Sequence, residues 1–394
     1  MEDIYIVNGE IYRGHQFRRG NLEIRGGKLR CMAAEETVPA GARVLDAAGL
    51  KVVPGFIDIH THGATGIDVN CASANDLEKT GCFFAKNGTT SWLASVLTDT
   101  KEQTEWCIRQ YHLYRRGERR GAELLGIHLE GPFLASAYKG AMPEELLREG
   151  DISLAEHYQK LAEGGIRYMT VSPEVPGVLE MIPLLEGIGI VAAMGHSGAD
   201  YATAMRAVRQ GVRAVTHTGN AMRLLHQHEP AVLGAALESD AYCEVICDGR
   251  HLHPGTVRLI IKTKGTDRVI AVTDSIMAAG LPDGKYHLGV NEVIVEAGDA
   301  KLASDGVRAG STLTQKLALK NLLSWTGLPL EDILPMLTEN PANLLGISDR
   351  KGFIADGKDA DLVLLDDNQE IAAVIVAGMS VSDCNVSGME YRRV

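Results

Sequence analysis

The chain has 394 residues, of which 45% are hydrophobic and 23% are charged, and its formal net charge at pH 7 is -12. These values are typical of a globular protein that is long enough for one large domain and a small accessory domain. The acidic balance disfavours binding to nucleic acid or to an anionic membrane surface, because both are polyanions. We therefore expect a small-molecule partner, and any phosphate on it would need a local cluster of positive groups.

The cysteines indicate a reducing environment. They are odd in number, lack paired CxxC spacings and are scattered along the chain at Cys31, Cys71, Cys82, Cys107, Cys243, Cys247 and Cys384. This pattern favours a cytoplasmic protein over a secreted one. The opening MEDIYIVNGEIYRG has early acidic residues and no continuous apolar run, which argues against a signal peptide or anchor. No stretch approaches the roughly 20 apolar residues that cross a bilayer, so we expect no membrane segment.

Both ends of the chain show short alternating runs that are typical of β-strands. The first 53 residues contain IYIVNGEIY, NLEIRGGKL and ARVLDAAG, separated by glycine and asparagine turns. Residues 352–394 contain DADLVLLDD, EIAAVIVAG and SVSDCNVSG, which have the same character. Such runs bounded by turn residues predict strands. We expect residues 1–53 and 352–394 to pair into one small β-sandwich domain.

Residues 54–351 show short apolar runs followed by amphipathic helical stretches, which is typical of βα units. Several runs end in polar residues, namely His128, Glu130, Glu174, His196, Thr216, His217, Asp248 and Asp274. Because the C-terminal ends of parallel barrel strands meet at one mouth, these side chains are expected to lie close together. The sequence therefore predicts an α/β fold, a (β/α)₈ TIM barrel over 54–351 with its site at that mouth.

A histidine pair follows the first apolar run of the predicted barrel, in PGFIDIHTHG. Residues two apart in a strand point to the same side, so His60 and His62 can present two imidazoles to one metal ion. An isolated pair is equally compatible with a surface position or a hydrogen-bonded core position. Its place at the predicted mouth favours metal binding.

A second group of candidates consists of Glu130 in HLEGPF, His196 in MGHSG and His217 in VTHTGNAM. One carboxylate and two imidazoles form a common catalytic zinc set that leaves a position open for water. Asp274 in AVTDSIMAAG follows a late apolar strand, where an aspartate often caps a helix. Its expected place at the same mouth favours a general base that takes a proton from the attacking water.

Motifs along nearly the whole chain resemble the N-acetylglucosamine-6-phosphate deacetylases of the amidohydrolase superfamily. The opening PGFIDIHTHG and the closing KGFIADGKDADLVLLD are shared across the superfamily, whereas HLEGPF, GHSGA, the NAM segment and CDGRHLHP are more specific to the deacetylases. The resemblance implies a metal-dependent barrel enzyme of this type. It also implies the reaction, hydrolysis of the acetamide of N-acetylglucosamine 6-phosphate to glucosamine 6-phosphate and acetate.

The resemblance also assigns metal ligands. It implies that Glu130, His196 and His217 hold the principal metal ion. His60 and His62 match positions that hold a second ion in some members, with the glutamate bridging. One or two divalent ions per subunit are therefore expected, with Zn²⁺ and Fe²⁺ as the candidates because histidine and carboxylate ligands discriminate weakly between them.

The remaining roles implied by the resemblance concern catalysis and substrate binding. Asp274 matches the catalytic acid/base of the family. Asn220 and Ala221 match positions that contact the sugar, and His251 matches a histidine on the sugar or phosphate side. Ala141 lies in the KGA motif that borders the substrate.

Two departures from the family pattern bear on the substrate. Many members have an arginine that reaches the phosphate in the neighbouring subunit of a homodimer, where this chain has His228. Where several members have a polar residue after KGA, this chain has Met142. Alternatives are therefore another N-acetylated sugar, another sugar phosphate or an N-acyl amino acid. A non-catalytic binding barrel is disfavoured, because the ligands and the base are all present.

Overall fold

A computed structural model describes residues 3–117, 119–381 and 392–393 of the chain. The centre of this described part is a barrel of eight parallel strands that are hydrogen-bonded in chain order. From first to eighth, the strands are Phe56–Asp58, Thr89–Leu97, Glu123–Glu130, Ile166–Val171, Val191–Met194, Ala214–Val215, Tyr242–Ile246 and Val269–Val272. The predicted (β/α)₈ TIM barrel is confirmed.

The barrel closes just beyond the last residues of its first and eighth strands. The backbone N–H of Asp274 donates to the carbonyl of His60 at 2.8 Å, and that of His62 donates to the carbonyl of Ser275 at 2.7 Å. Below them, the Asp58 carboxylate accepts a hydrogen bond from the Thr273 hydroxyl at 2.6 Å. Closure therefore brings two site candidates together that are more than 200 residues apart in the sequence.

A helix follows each barrel strand and packs an apolar face on the outside of the barrel. These helices are Ala74–Lys86, Lys101–Arg116, Ile152–Leu161, Val178–Gly187, Tyr201–Gln210, Ala231–Glu238, Pro254–Lys264 and Gln315–Thr326, followed by the short Leu330–Ile333 and Glu339–Leu344. Short 3₁₀ turns occupy Val69–Cys71, Ser136–Tyr138, Glu144–Leu146, Thr266–Arg268 and Leu334–Met336. Within the described residues, none of the helices combines the length and apolarity that crossing a membrane requires.

Strands from both chain ends form the predicted small β domain. Its mixed sheet contains Ile4–Arg13, Gln16–Arg25, Lys28–Cys31, Arg43–Asp46, Lys51–Pro54, Leu362–Leu365, Ile371–Val376, Met379–Ser380 and Arg392–Arg393. Ile4–Arg13 pairs first with Arg43–Asp46 and then with Lys51–Pro54, and its register shifts at Asn8, which has a φ of 64°. Because of this bend, the same strand pairs with Arg43–Asp46 through its first half and with Lys51–Pro54 through its second half. The run SVSDCNVSG, with Cys384, lies almost wholly outside the described residues.

An antiparallel meander follows the eighth strand and was not anticipated from the sequence. It consists of Gly284–Leu288, Asn291–Glu296 and Asp299–Leu302. The meander has its own apolar cluster, in which Val293 and Met142 are buried. Met142, which follows the KGA motif, therefore packs under the meander and helps to hold it beside the barrel mouth.

A buried ion cluster joins the N-terminal end of the third barrel strand to the small domain. Lys351 is 3% exposed, and its ammonium contacts Glu123 at 2.8 Å, Asp359 at 3.2 Å and Asp361 at hydrogen-bond distance. Arg350 binds Glu123 and Asp359 as well, at 3.0 and 2.7 Å. Burial alone would raise the pKa of Glu123, but these two cations outweigh it and hold its pKa at about 2.

Replacement of Lys351 by methionine is expected to lower the free energy of unfolding by about 3–5 kcal/mol, because it leaves the buried carboxylate of Asp361 without its ion-pair partner, while Glu123 and Asp359 keep Arg350. A carboxyl with a depressed folded-state pKa stabilises the fold above its ordinary pKa, about 4.3 for Glu. That stability is lost as the pH falls towards 2. Urea unfolding between pH 7 and 3 measures both effects. The control Lys79→Met removes an exposed pair with Asp76 and should cost at most about 1 kcal/mol. Equal losses in both variants would contradict the prediction.

Candidate active site

Six buried polar side chains meet at the C-terminal mouth of the barrel: His60, His62, Glu130, His196, His217 and Asp274. Each comes from the end of a strand. Glu130 is the last residue of the third strand, and the others follow the first, fifth, sixth and eighth strands within four residues. Parallel strands in a closed barrel all end at the same rim. The polar residues that follow these strands therefore lie close together, although they are far apart in the sequence.

Glu130 lies between two groups of possible metal ligands. Its Oε1 is 3.1 Å from Nε2 of His196, 3.2 Å from that of His217 and 3.4 Å from that of His60. Its Oε2 is 3.3 Å from Nε2 of His62. All four imidazoles therefore direct the same ring nitrogen at one carboxylate.

Asp274 completes the second group. Its Oδ1 is 3.1 Å from Nε2 of His62 and 3.6 Å from Nε2 of His60. The resulting groups are Glu130 with His196 and His217, and Asp274 with His60 and His62, and within each group the ligand atoms all lie within 4.8 Å of one another.

The orientation of the rings fits metal binding. Nδ1 of His62 donates to the carbonyl of Ser95 at 3.1 Å, and Nδ1 of His196 donates to the carbonyl of Tyr138 at 2.8 Å. A neutral imidazole with its proton on Nδ1 has a lone pair on Nε2. The Nε2 atoms of His196 and His217 lie only 3.0 Å apart beside an acceptor-only carboxylate. Such converging lone pairs repel each other unless a cation lies between them, so the donor set suits a divalent metal ion.

Three of the six residues have a strained backbone. The φ angles are 47° at His196, 29° at His217 and 49° at Asp274, and Ala221 beside them has 44°. This left-handed region is unfavourable for residues other than glycine, and such strain persists only where surrounding structure enforces it, often at functional sites. Each of the three lies two residues beyond its strand, where the turn directs the side chain back over the mouth.

The two carboxylates at the centre are ionised at neutral pH. Burial would raise the pKa of Asp274, but positive charge at the position of His60 and His62 and hydrogen-bond donation to its carboxylate outweigh burial and lower its pKa to about 2. Burial also acts to raise the pKa of Glu130, and the surrounding histidines again hold it well below its usual value. Asp274 is therefore an anion that can accept a proton, as a general base must.

A cavity of about 510 Å³ opens above the six residues. Of the residues expected to contact substrate, Ala141, Asn220, Ala221 and His251 line this cavity. His228 does not, because it lies in an exposed loop of its own chain. Within its own chain, His228 therefore lies away from the cavity.

Two further groups shape the cavity. Nδ1 of His251 donates to Asp248 at 2.8 Å, which leaves Nε2 free to face a ligand. Arg308 lines the wall that follows the meander and is held by Asp299 through contacts of 2.7 and 2.9 Å. The sequence had not indicated Arg308, because its place at the mouth depends on the meander.

One buried carboxylate under the site was also missed. Glu244 lies in the seventh strand and accepts a hydrogen bond from Nδ1 of His60 at 3.0 Å. The sequence does carry a sign of it, because a charged residue inside the otherwise apolar run CEVIC is expected to be buried and paired. Its partner is 184 residues away, which no local pattern can reveal.

Comparison with known proteins agrees with this geometry. Residues 51–381 match the family model described as the amidohydrolase family. An N-acetylglucosamine-6-phosphate deacetylase of Bacillus subtilis (strain 168) is 37% identical over 383 residues, which cover 96% of each chain. An N-acetylgalactosamine-6-phosphate deacetylase of Escherichia coli O157:H7 is 32% identical, over 89% of this chain and 92% of that one.

Solved structures give the same result. The crystal structure of N-acetylglucosamine-6-phosphate deacetylase from Pasteurella multocida superposes with a TM-score of 0.90 at 30% identity, over 96% of this chain and 99% of that one. The resemblance drawn from the sequence motifs is confirmed by these matches.

Proposed function

The chain belongs to the amidohydrolase family, and on that basis we propose that it hydrolyses the acetamide of N-acetylglucosamine 6-phosphate to glucosamine 6-phosphate and acetate. The observation that carries the proposal is the convergence of four imidazoles and two carboxylates, Glu130 and Asp274, under a cavity of about 510 Å³. The relatives of this chain that are at least 32% identical over most of its length support this substrate class.

Glu130, His196 and His217 would hold one divalent cation, and His60 and His62 a second, with Zn²⁺ and Fe²⁺ as the candidates. A cation bound there lowers the pKa of water and polarises the acetamide carbonyl. The protein itself supplies orientation and the exclusion of bulk water, because the ligand set is buried on all sides except the cavity.

Asp274 carries the proton transfer in this proposal. Its carboxylate accepts the proton that water loses while the oxygen attacks the acetamide carbon. It then returns that proton to the amine nitrogen as the C–N bond breaks, so that acetate and the free amine leave. His251, oriented by Asp248, and the backbone around Ala221 would position the sugar.

Acetate release from a panel of N-acetylated compounds tests the proposal. The panel contains N-acetylglucosamine, its 6-phosphate, N-acetylgalactosamine 6-phosphate and an N-acetyl amino acid. We expect kcat/KM to be highest for N-acetylglucosamine 6-phosphate, and hydrolysis of none of them would refute the proposal. A preference for the galactosamine phosphate favours the second candidate, which the relative in Escherichia coli O157:H7 supports.

His228 is proposed to contact the substrate phosphate across a homodimer. Exchange of His228 for arginine should raise kcat/KM for the 6-phosphate about tenfold, because a guanidinium binds phosphate in bidentate fashion and stays charged. The unphosphorylated sugar should not gain. Gln227→Arg is the control, since it adds the same charge at the neighbouring exposed position. Equal gains for both substrates, or a monomeric active enzyme in light scattering, would argue against the contact.

Two further points complete the proposal. A cytoplasmic location is supported by the cysteines, which are odd in number, scattered along the chain and without paired CxxC spacings. We also propose the domain division into 1–53 with 352–394 and 54–351. It is supported by the strand Lys51–Pro54, which pairs with Leu362–Leu365 immediately before the first barrel strand begins.

A further inference from the structure

Glu244 lies in the seventh strand, Tyr242–Ile246, with its side chain fully buried inside the barrel. Its Oε2 accepts hydrogen bonds from Nδ1 of His60 and from the backbone N–H of His217, each at 3.0 Å. Its Oε1 accepts a hydrogen bond from the hydroxyl of Tyr168 at 2.6 Å. One carboxylate thus touches a residue from each of the two ligand groups.

The contact with His60 differs from those of the other histidines. His62 and His196 direct Nδ1 at backbone carbonyls, whereas His60 directs it at a carboxylate. A carboxylate partner fixes the tautomer with the proton on Nδ1, orients the ring and makes Nε2 a better ligand. Nε2 of His60 consequently points at Glu130 and Asp274.

The contact with His217 concerns the backbone. His217 has a φ of 29°, and its Nδ1 is buried without a hydrogen-bond partner in the described structure. No side-chain hydrogen bond at Nδ1 therefore fixes this ring, and its place depends on the strained turn. The hydrogen bond from its N–H to Glu244 is one that helps to hold this turn.

The site also concentrates negative charge. Glu130, Asp274 and Glu244 are all buried within this small volume. The buried lysines of the described residues, Lys264 and Lys351, bind elsewhere, and none of the described arginines is buried. Buried carboxylates without cations are costly, so the three together favour divalent cations at the mouth.

We propose that Glu244 is a positioning residue for the metal site, which orients His60, anchors the turn at His217 and raises the affinity of the His60 and His62 position for a divalent cation. The inference rests on the proposed function, because it takes the site to hold metal ions. It goes further in assigning a role to a residue that contacts neither the cavity nor the substrate.

Zinc binding by the full-length protein tests the proposal. Glu244→Gln keeps the shape of the side chain and one acceptor oxygen but removes the charge. We expect Zn²⁺ affinity at the weaker of the two positions to fall about 10–100-fold, which is the usual effect of removing a residue that hydrogen-bonds to a metal ligand. Chelator competition and metal content per chain measure this without reference to catalysis.

Tyr168→Phe is the matched control. It removes the third hydrogen bond of Glu244 but leaves the charge and both histidine contacts in place. We expect its Zn²⁺ affinity to stay close to that of the native protein. Equal losses in the two variants would point to general loosening of the core and overturn the proposal. Native affinity in Glu244→Gln would overturn it as well.

A replacement variant and a measurement on the native protein complete the test. If Glu244→Gln does not fold, as judged by gel filtration and near-ultraviolet circular dichroism, Glu244→Asp replaces it. That variant keeps the charge but withdraws it from His60 by one methylene, so a smaller loss of Zn²⁺ affinity is expected and native affinity overturns the proposal. If the native protein binds no Zn²⁺ or Fe²⁺ at all, the proposed function fails first, and the two failures are distinguishable.

Discussion

Asp274→Asn is expected to lower kcat for acetate release by about 10²- to 10⁴-fold, the range typical of a lost general acid–base catalyst. The amide has the same shape as the carboxylate but cannot accept a proton. The variant should fold, because its backbone hydrogen bonds to His60 and Ser311 do not involve the side chain. Single-turnover and steady-state assays at pH 7 measure the loss, and metal analysis should still find at least one ion per chain.

The pH profile of the native enzyme separates this role from a purely structural one. A general base must be ionised to accept a proton, so kcat of the native enzyme should fall on the acid side as Asp274 becomes protonated. This acid limb should be absent in Asp274→Asn. Asp240→Asn, at an exposed position before the seventh strand, is the control and should keep native turnover.

Near-native turnover in Asp274→Asn would transfer the role of base to another carboxylate. Glu174 and Asp248 also follow barrel strands, but both are already engaged. Glu174 accepts hydrogen bonds from the Ser197 hydroxyl at 2.7 Å and from a backbone N–H. Asp248 holds His251. Neither lines the cavity, which is why the geometry favours Asp274.

The barrel and the six residues at its mouth could be predicted because they depend on local patterns. Apolar runs such as VIAV before Asp274 are long enough to mark strands, and the polar residue after each run marks the rim. A closed barrel then leaves a single place where the ends can meet. The distances within the site were not predictable, since they follow from turns with positive φ at His196, His217 and Asp274.

Features that depend on residues far apart in the chain could not be predicted from the sequence. The role of Glu244 depends on His60, and barrel closure makes them neighbours only in three dimensions. The meander over 284–302 was missed because its strands are short, carry several charged residues and are separated by glycine-containing turns. The position of Arg308 depends on that meander. Contact of His228 with substrate stays a prediction, since it requires a second chain.

Glu130→Gln is expected to have the largest effect on metal content. Glu130 is the one ligand candidate of the six whose carboxylate contacts the Nε2 atoms of all four histidines. An amide presents one neutral oxygen and an NH₂ group that faces lone pairs, so both ligand groups lose their shared anion. Loss of a residue that hydrogen-bonds to a metal ligand typically lowers metal affinity roughly 10–100-fold. We expect Glu130→Gln to lower it by more than this, and activity to fall with it.

The other ligands give a graded series that distinguishes one required ion from two. His196→Ala and His217→Ala should lose metal and activity together, because each removes a ligand of the principal group. His60→Ala and His62→Ala should lose less activity if one ion suffices, and as much if both are needed. His253→Asn is the control, because His253 caps the helix Pro254–Lys264 and asparagine caps helices well.

Full activity of the native protein after exhaustive chelation would rule out metal-dependent catalysis. Metal-free but active Glu130→Gln would do the same, since the carboxylate shared by both groups would then serve only the fold.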